Sequence, residues 1–203
     1  MCRHGRSIAE GGAGPFPAGP SSAPSAGAPP VRGDDDITLS RWENNYDHLS
    51  DEPLKFNVAV NDDAHSAQKA HTVRDHGPQL PLRSIPDVKT VEGRIHGDSG
   101  WRHAANASTK WSDPSTMNRT INEYVRGNWA QIRSDLAIEG KHEAVFDAGH
   151  RIGEGFVNRG MGGAGSREAQ YVTTSVVRLV IKVVPGSDPP DVYIKTSFPA
   201  ALG

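Results

Sequence analysis

Two histidines, His71 and His76, stand five residues apart in the segment AQKAHTVRDH. On a helix, five positions put two side chains about 140° apart around the axis, so the pair is not the i, i+4 arrangement by which a helix holds zinc. An imidazole whose ordinary pKa is near 6.5 suits proton transfer at neutral pH instead, a role worth on the order of 10²- to 10⁴-fold in rate. Read alone, each histidine is equally well a surface residue or a hydrogen-bonded buried imidazole. Arg94 is by itself a solvated helix cation. In the late segment YIKTSFP, strict alternation puts Thr196 and Phe198 on one face and Lys195 and Ser197 on the other. Lys195 then reads as a face charge turned away from Thr196. His150 and Arg151 could reach a phosphate, but a loop pair of this kind is ordinarily solvated. The glycine-rich GMGGAG lacks the strand–loop–helix context and the Lys-Ser/Thr of a phosphate-binding loop, and reads as a flexible hairpin connection.

The elements that must position these residues divide into helices first and strands second. AQKAHTVRDH suits a short helix ended by Gly77 and Pro78, and Val88 to His96 suits another turn or two. The clearest helix starts at Asp113 as N-cap with Pro114 at the first helical position. Its apolar residues Met117, Ile121, Tyr124, Val125, Trp129, Ile132 and Leu136 recur at steps of three and four. Gly127 weakens it by roughly 1 kcal/mol relative to Ala. Ala144–Phe146, Ile152–Asn158, the β-branched run Tyr171–Val184 and Val192–Phe198 read as strands, with a turn at Gly186–Pro190. This order predicts an α+β domain. Trp111 and Trp129 are expected in its core.

The first forty residues run through GGAGPFPAGPSSAPSAGAPP, which offers few large apolar side chains to offset ordering entropy; residues 1–40 are expected to be a disordered tail. Residues 41–69 are expected to be an acidic connector, either plain or partly ordered as a short helix and strand packed through Trp42, Tyr46, Leu49, Leu54, Phe56 and Val58. Residues 70–203 are expected to be the folded domain. Charge divides the same way: residues 1–70 hold 6 Lys+Arg and 10 Asp+Glu, a net −4, and residues 71–203 hold 16 and 14, a net +2. A balance of +2 is compatible with a nucleic-acid partner without requiring one. The single cysteine, Cys2, excludes a disulfide framework or a thiolate zinc site. No apolar run approaches the roughly 18 to 20 residues that span a bilayer, and the N-terminus lacks the apolar stretch of a secretory signal. Export, if it occurs, is expected through a larger polypeptide or a dedicated secretion machine.

Taken in order, AHTVRDH, VEGRI, ANASTKWSD before an amphipathic helix, GEGFVNRG, a valine-rich strand and YIKTSFP resemble the bacterial RNase A-like domain, the C-terminal toxic module of contact-dependent inhibition proteins and related polymorphic toxins. The resemblance covers roughly Ala70 to Pro199. It implies N-terminal helices packed on a curved antiparallel sheet without disulfides, and a metal-independent, cofactor-free endoribonuclease. Its partners would be RNA, tRNA being one candidate, and a cognate immunity protein, with the domain monomeric and active in the cytoplasm of a target cell.

The family pattern puts an active-site histidine in the element that here holds His71 and His76. Its arginine aligns best with Arg94, with Arg83 as the alternative because Pro81–Lys89 looks like an insertion, and its terminal threonine aligns with Thr196. Where the family has a tyrosine this chain has Phe198, which cannot carry a proton; the implication is a slower enzyme or one that uses another group. Phe198, Arg151 and His150 are expected to touch substrate only weakly. In the implied reaction one histidine serves proton transfer to or from the attacking 2′-OH and leaving 5′-oxygen, Arg94 meets the phosphorane charge, and Thr196 holds the phosphate or orients the base. DNA, which lacks the 2′-OH, should be inert. Two other classes fit the same residues: an RNA- or protein-binding module of this fold without activity, and an unrelated α+β toxin such as a nucleotide-modifying transferase.

Overall fold

The computed structural model describes residues 42–43, 45–162 and 165–201. The expected tail, residues 1–40, lies outside them. Among the described residues, after a helical stretch at 45–48, the elements follow in order: α1 Val58–Ala64, α2 Thr72–His76, α3 Val91–His96, β1 Ala107–Trp111, α4 Pro114–Glu139, β2 Lys141–Asp147, β3 Gly153–Asn158, β4 Ala169–Thr174, β5 Val176–Val183 and β6 Val192–Pro199. The architecture is α+β. The strands form two antiparallel three-stranded sheets, ordered β1-β3-β4 and β2-β5-β6, where one curved sheet was expected.

Local chemistry explains α4. The Asp113 side chain accepts from the Thr116 amide at 2.8 Å and from its hydroxyl at 2.7 Å, Pro114 opens the helix, and Gly140 closes it at φ 68. The weak point at Gly127 becomes a kink: Asn128 leaves helical geometry, and its side-chain amide donates to the Tyr124 carbonyl. Met117, Ile121, Val125, Trp129, Ile132 and Leu136 point into the main core with Trp111, Ile152, Leu179, Ile181 and Ile194. A second cluster joins Leu80, Val91, Ile95 and Phe156.

The acidic stretch before Ala70 is built into that main core rather than standing off as a plain connector. Leu49, Phe56 and Val58 are buried there, with Trp42, Tyr46 and Leu54 packed against it. Its backbone is strapped to α4: Asn122 pairs with both the N–H and the C=O of Phe56, Asn118 accepts from the Val58 amide, and the Arg133 guanidinium donates to the Tyr46 carbonyl.

Three expectations about elements are corrected. The helix expected across AQKAHTVRDH starts only at Thr72, because Lys69 takes φ 62, a left-handed turn that no α-helix contains. The run Tyr171–Val184 is two strands in different sheets, parted at Ser175. Ala107–Trp111, with no assigned strand, is β1. Its partner β3 passes so close at Gly155 that a Cβ there would press on the Ser108 carbonyl, which is why the GEGFVN segment needs that glycine.

The two sheets meet along β6. Its outer edge pairs with side chains instead of another strand. Asn61 of α1 exchanges bonds of 2.8 Å with both the N–H and C=O of Ile194; the Thr72 hydroxyl accepts from the Ser197 amide at 2.9 Å; Trp111 Nε1 donates to the Ser197 carbonyl at 3.2 Å, and the Thr109 hydroxyl donates to that of Pro199. Those five bonds set α1, α2 and β1 around β6. Among the described residues no helix is long and apolar enough to cross a membrane.

Candidate active site

α2 is held at its first turn from two sides. Asp62 of α1 accepts from the Val73 amide at 2.7 Å, and the Thr72 bond to Ser197 ties its first turn to β6. This placement separates the two histidines. His71 is the N-cap residue and stays half-exposed, with Nδ1 2.8 Å from the Lys69 carbonyl. A carbonyl only accepts, so Nδ1 carries the proton and the Nε2 lone pair is left free to act as a base. His76 faces inward at 6 % exposure, with Nδ1 donating to the Thr109 carbonyl at 3.0 Å and its ring stacked on Phe198 at 4.6 Å. Burial pushes its pKa down to about 4, against the pull of the Thr109 bond, and the Arg94 charge adds to the lowering. At neutral pH His76 is uncharged.

His71 opens onto a cleft of about 690 Å³ that Arg94 and Lys195 also line. Six basic side chains and one carboxylate border it, the others being Lys69, Arg74, Lys89, Arg102 and Asp75. The carboxylate is already neutralised. Burial works against its charge, but bonds from Arg74, at 2.9 and 3.0 Å, and from Lys89, at 2.6 Å, outweigh that and hold the Asp75 pKa well below the usual carboxylate range. The cleft is therefore strongly cationic although the whole chain carries −2.

Trp101 organises one wall. Its Nε1 donates to the Thr90 carbonyl at 2.8 Å, and its ring lies under both the Lys89 ammonium at 4.1 Å and the Arg94 guanidinium at 4.5 Å. Gly97 and Gly100, at φ 80 and 85, turn the chain around it. Arg94 makes no hydrogen bond or ion pair from its guanidinium among the described residues, which leaves its fork of donors for an anion. Arg83, the other arginine the resemblance allows, lies over the Phe156 ring at 5.0 Å and bonds Glu92, and does not line the cleft.

β6 supplies the floor. A register shift between Val180 and Ile181 leaves Lys195 without a partner across the ladder, Ile181 facing Ile194 and Val180 facing Thr196. This bulge breaks the strict alternation expected of YIKTSFP. Instead of standing as a detached face charge, Lys195 turns to the cleft, where its ammonium donates to the Gln68 carbonyl at 2.5 Å and the Lys69 carbonyl at 2.8 Å. The Thr196 hydroxyl oxygen is buried and has no hydrogen-bond partner.

The cleft thus gathers His71, Arg94 and Lys195, with His76 and Phe198 stacked on one another and outside its lining. His150 and Arg151 are not brought there. His150 bonds the Ala148 carbonyl, and Arg151 is occupied by Glu154 at 2.8 Å and the Tyr171 hydroxyl at 3.1 Å. Sequence reasoning missed Lys89, Trp101, Arg102 and His103. The one available signal was the density of basic and aromatic residues in GWRH.

No protein-family model matches this chain, and no curated protein matches it. Among solved structures it is similar in part to the crystal structure of the CdiA-CT/CdiI complex from Y. kristensenii, at 18 % identity and a TM-score of 0.36, over 46 % of this chain and 77 % of that one. At that level of likeness, fold and activity have to be argued from the chain's own residues.

Proposed function

We propose that this domain is a metal-independent endoribonuclease of the contact-dependent toxin type, cleaving RNA by attack of the 2′-oxygen on the adjacent phosphorus and restrained by a cognate immunity protein. The observation that carries the reading is an imidazole with a free Nε2 lone pair beside an unpaired guanidinium, in a cleft with six basic side chains and one neutralised carboxylate. RNA brings the complementary polyanion.

His71 Nε2 takes the 2′-OH proton, and Arg94 meets the charge that develops on the non-bridging phosphate oxygens. The P–O5′ bond breaks, leaving a 2′,3′-cyclic phosphate and a 5′-hydroxyl. With Phe198 unable to hold a proton, protonation of the 5′-oxygen falls to His103, the other imidazole lining the cleft. Thr196, expected at the phosphate, has its hydroxyl oxygen buried outside the cleft lining and is given no contact with the substrate. His76 supports α2 against β1 and β6 and transfers no proton at neutral pH.

The test incubates the full chain with tRNA in EDTA beside His71→Ala, with DNA of the same sequence as control. Cleavage to 2′,3′-cyclic ends by the wild type, lost by about 10²-fold or more in the variant, supports the reading; intact RNA with the wild type refutes it. Phe198 favours one second reading, a binding module of the same fold. That reading expects a salt-sensitive shift of RNA mobility without cutting.

A further inference from the structure

The Lys69 carbonyl is shared. It accepts from His71 Nδ1 at 2.8 Å and from the Lys195 ammonium at 2.8 Å, while the same ammonium also holds the Gln68 carbonyl at 2.5 Å. Two features that each run against local preference converge on this point. Lys69 is a non-glycine residue at φ 62, and β6 gives up its regular ladder at Lys195. Both departures cost stability, of a kind that persists where the surrounding structure compensates and that clusters at functional sites.

We propose that Lys195 is the positioning residue for His71. The bulge delivers the ammonium under the 68–69 turn, the ammonium fixes the direction of the Lys69 carbonyl, and that carbonyl keeps the proton on Nδ1 and the lone pair on Nε2, toward the cleft. Without the ammonium the Lys69–Ala70 peptide keeps, besides the His71 contact, only the bond from the Ala70 amide to the His65 carbonyl, at 3.1 Å, and the direction of the Lys69 carbonyl is held less firmly. His71 then distributes its proton over both nitrogens, because the bond made by one ring nitrogen sets the state of the other. The charged groups around His71 are the carboxylates of Asp62 on α1 and Asp75 on α2, and the cations of Lys69, Arg74, Arg94 and Lys195. Of these, Lys195 is bonded to the carbonyl that His71 uses.

The kinetic part of this inference rests on the ribonuclease reading; the tautomer part does not. Long-range ¹H–¹⁵N spectra of the histidine side chains in the full chain, with His71 assigned by the loss of its signals in His71→Ala, read the tautomer directly. The wild type is expected to show His71 protonated at Nδ1 alone when neutral. Lys195→Met is expected to show a mixture of both tautomers and to lose about 10-fold or more in kcat on RNA with KM little changed, and Lys195→Arg, which still reaches both carbonyls, to recover the single tautomer. A wild-type His71 protonated mainly at Nε2 overturns the proposal, and so does a folded Lys195→Met with an unchanged tautomer. If Lys195→Met does not fold, the wild-type and Lys195→Arg spectra still decide it. Should the wild type fail to cut RNA while the spectra behave as described, the enzymatic reading falls and the positioning role stands.

Discussion

Replacing His76 with glutamine should remove a defined part of the acid sensitivity of this fold. The side chain is buried at 6 % exposure between β1 and Phe198, and burial carries its pKa from the ordinary 6.5 down to about 4. A group with a depressed folded pKa binds its proton more readily in the unfolded chain. Above pH 6.5 both states hold a neutral imidazole, and the fold keeps its full stability. Between pH 6.5 and about 4 the unfolded chain gains the proton and the folded one does not, so stability falls as pH falls, at about 1.4 kcal/mol per pH unit. Over that window the loss reaches roughly 3 kcal/mol and then levels off. The Asp75 carboxylate, whose folded pKa is also depressed, contributes its own loss only below about pH 4, outside this window. Glutamine keeps a donor for the Thr109 carbonyl and has no proton to take up. Urea unfolding followed by circular dichroism at pH 7.5, 6.5, 5.5 and 4.5 is the assay. The gap in unfolding free energy between wild type and His76→Gln should shift in the variant's favour by about 2.5 kcal/mol from the first pH to the last. A gap constant within about 0.5 kcal/mol would refute the reasoning, as would direct titration of His76 near 6.5.

Other perturbations test the scaffold and the cleft. Gly155→Ala should lower stability by about 3 kcal/mol, read from the urea midpoint, because its Cβ would press on the Ser108 carbonyl oxygen and lie 2.7 Å from Thr109 Cα, both backbone of β1. Asn61→Ala should cost about 2–3 kcal/mol in the same assay, since it strips the N–H and C=O of Ile194 of their partners. A loss under about 0.5 kcal/mol would mean that water replaces the amide there. Arg94→Lys keeps the charge but loses the planar face over Trp101 and the paired donors, so kcat/KM on RNA should fall about 10-fold, and Arg94→Ala about 10²- to 10³-fold. Equal activity in the lysine variant would show that a point charge suffices.

What the sequence determined by itself was local. The Asp113–Pro114 start, the three–four spacing of apolar residues and the stop at Gly140 are interactions within a few residues of one another, so α4 was legible, as were the last strand and the α+β order, but not the break at Ser175 that divides the β-branched run between two sheets. The histidine element and the late Thr196 segment could be singled out by residue type and by their resemblance to a known domain. Which histidine faces the cleft could not be read there, because His71 and His76 differ only in what packs on them: β1 and Phe198 bury one, and the Lys69 carbonyl holds the other at the surface. β1 was illegible because Ser108 and Thr109 are buried by the neighbours they meet in three dimensions and not by their own hydrophobicity. The bulge at Lys195 was hidden because a register shift is a property of two strands and leaves no periodic mark on one. The charge of the site was equally invisible along the chain: residues 71–203, with a balance of only +2, bring five basic side chains to one cleft, and Lys69 adds a sixth. Folding decides where charges converge, since residues 69 and 195 become hydrogen-bonded neighbours only when α1, α2 and β6 close on one another.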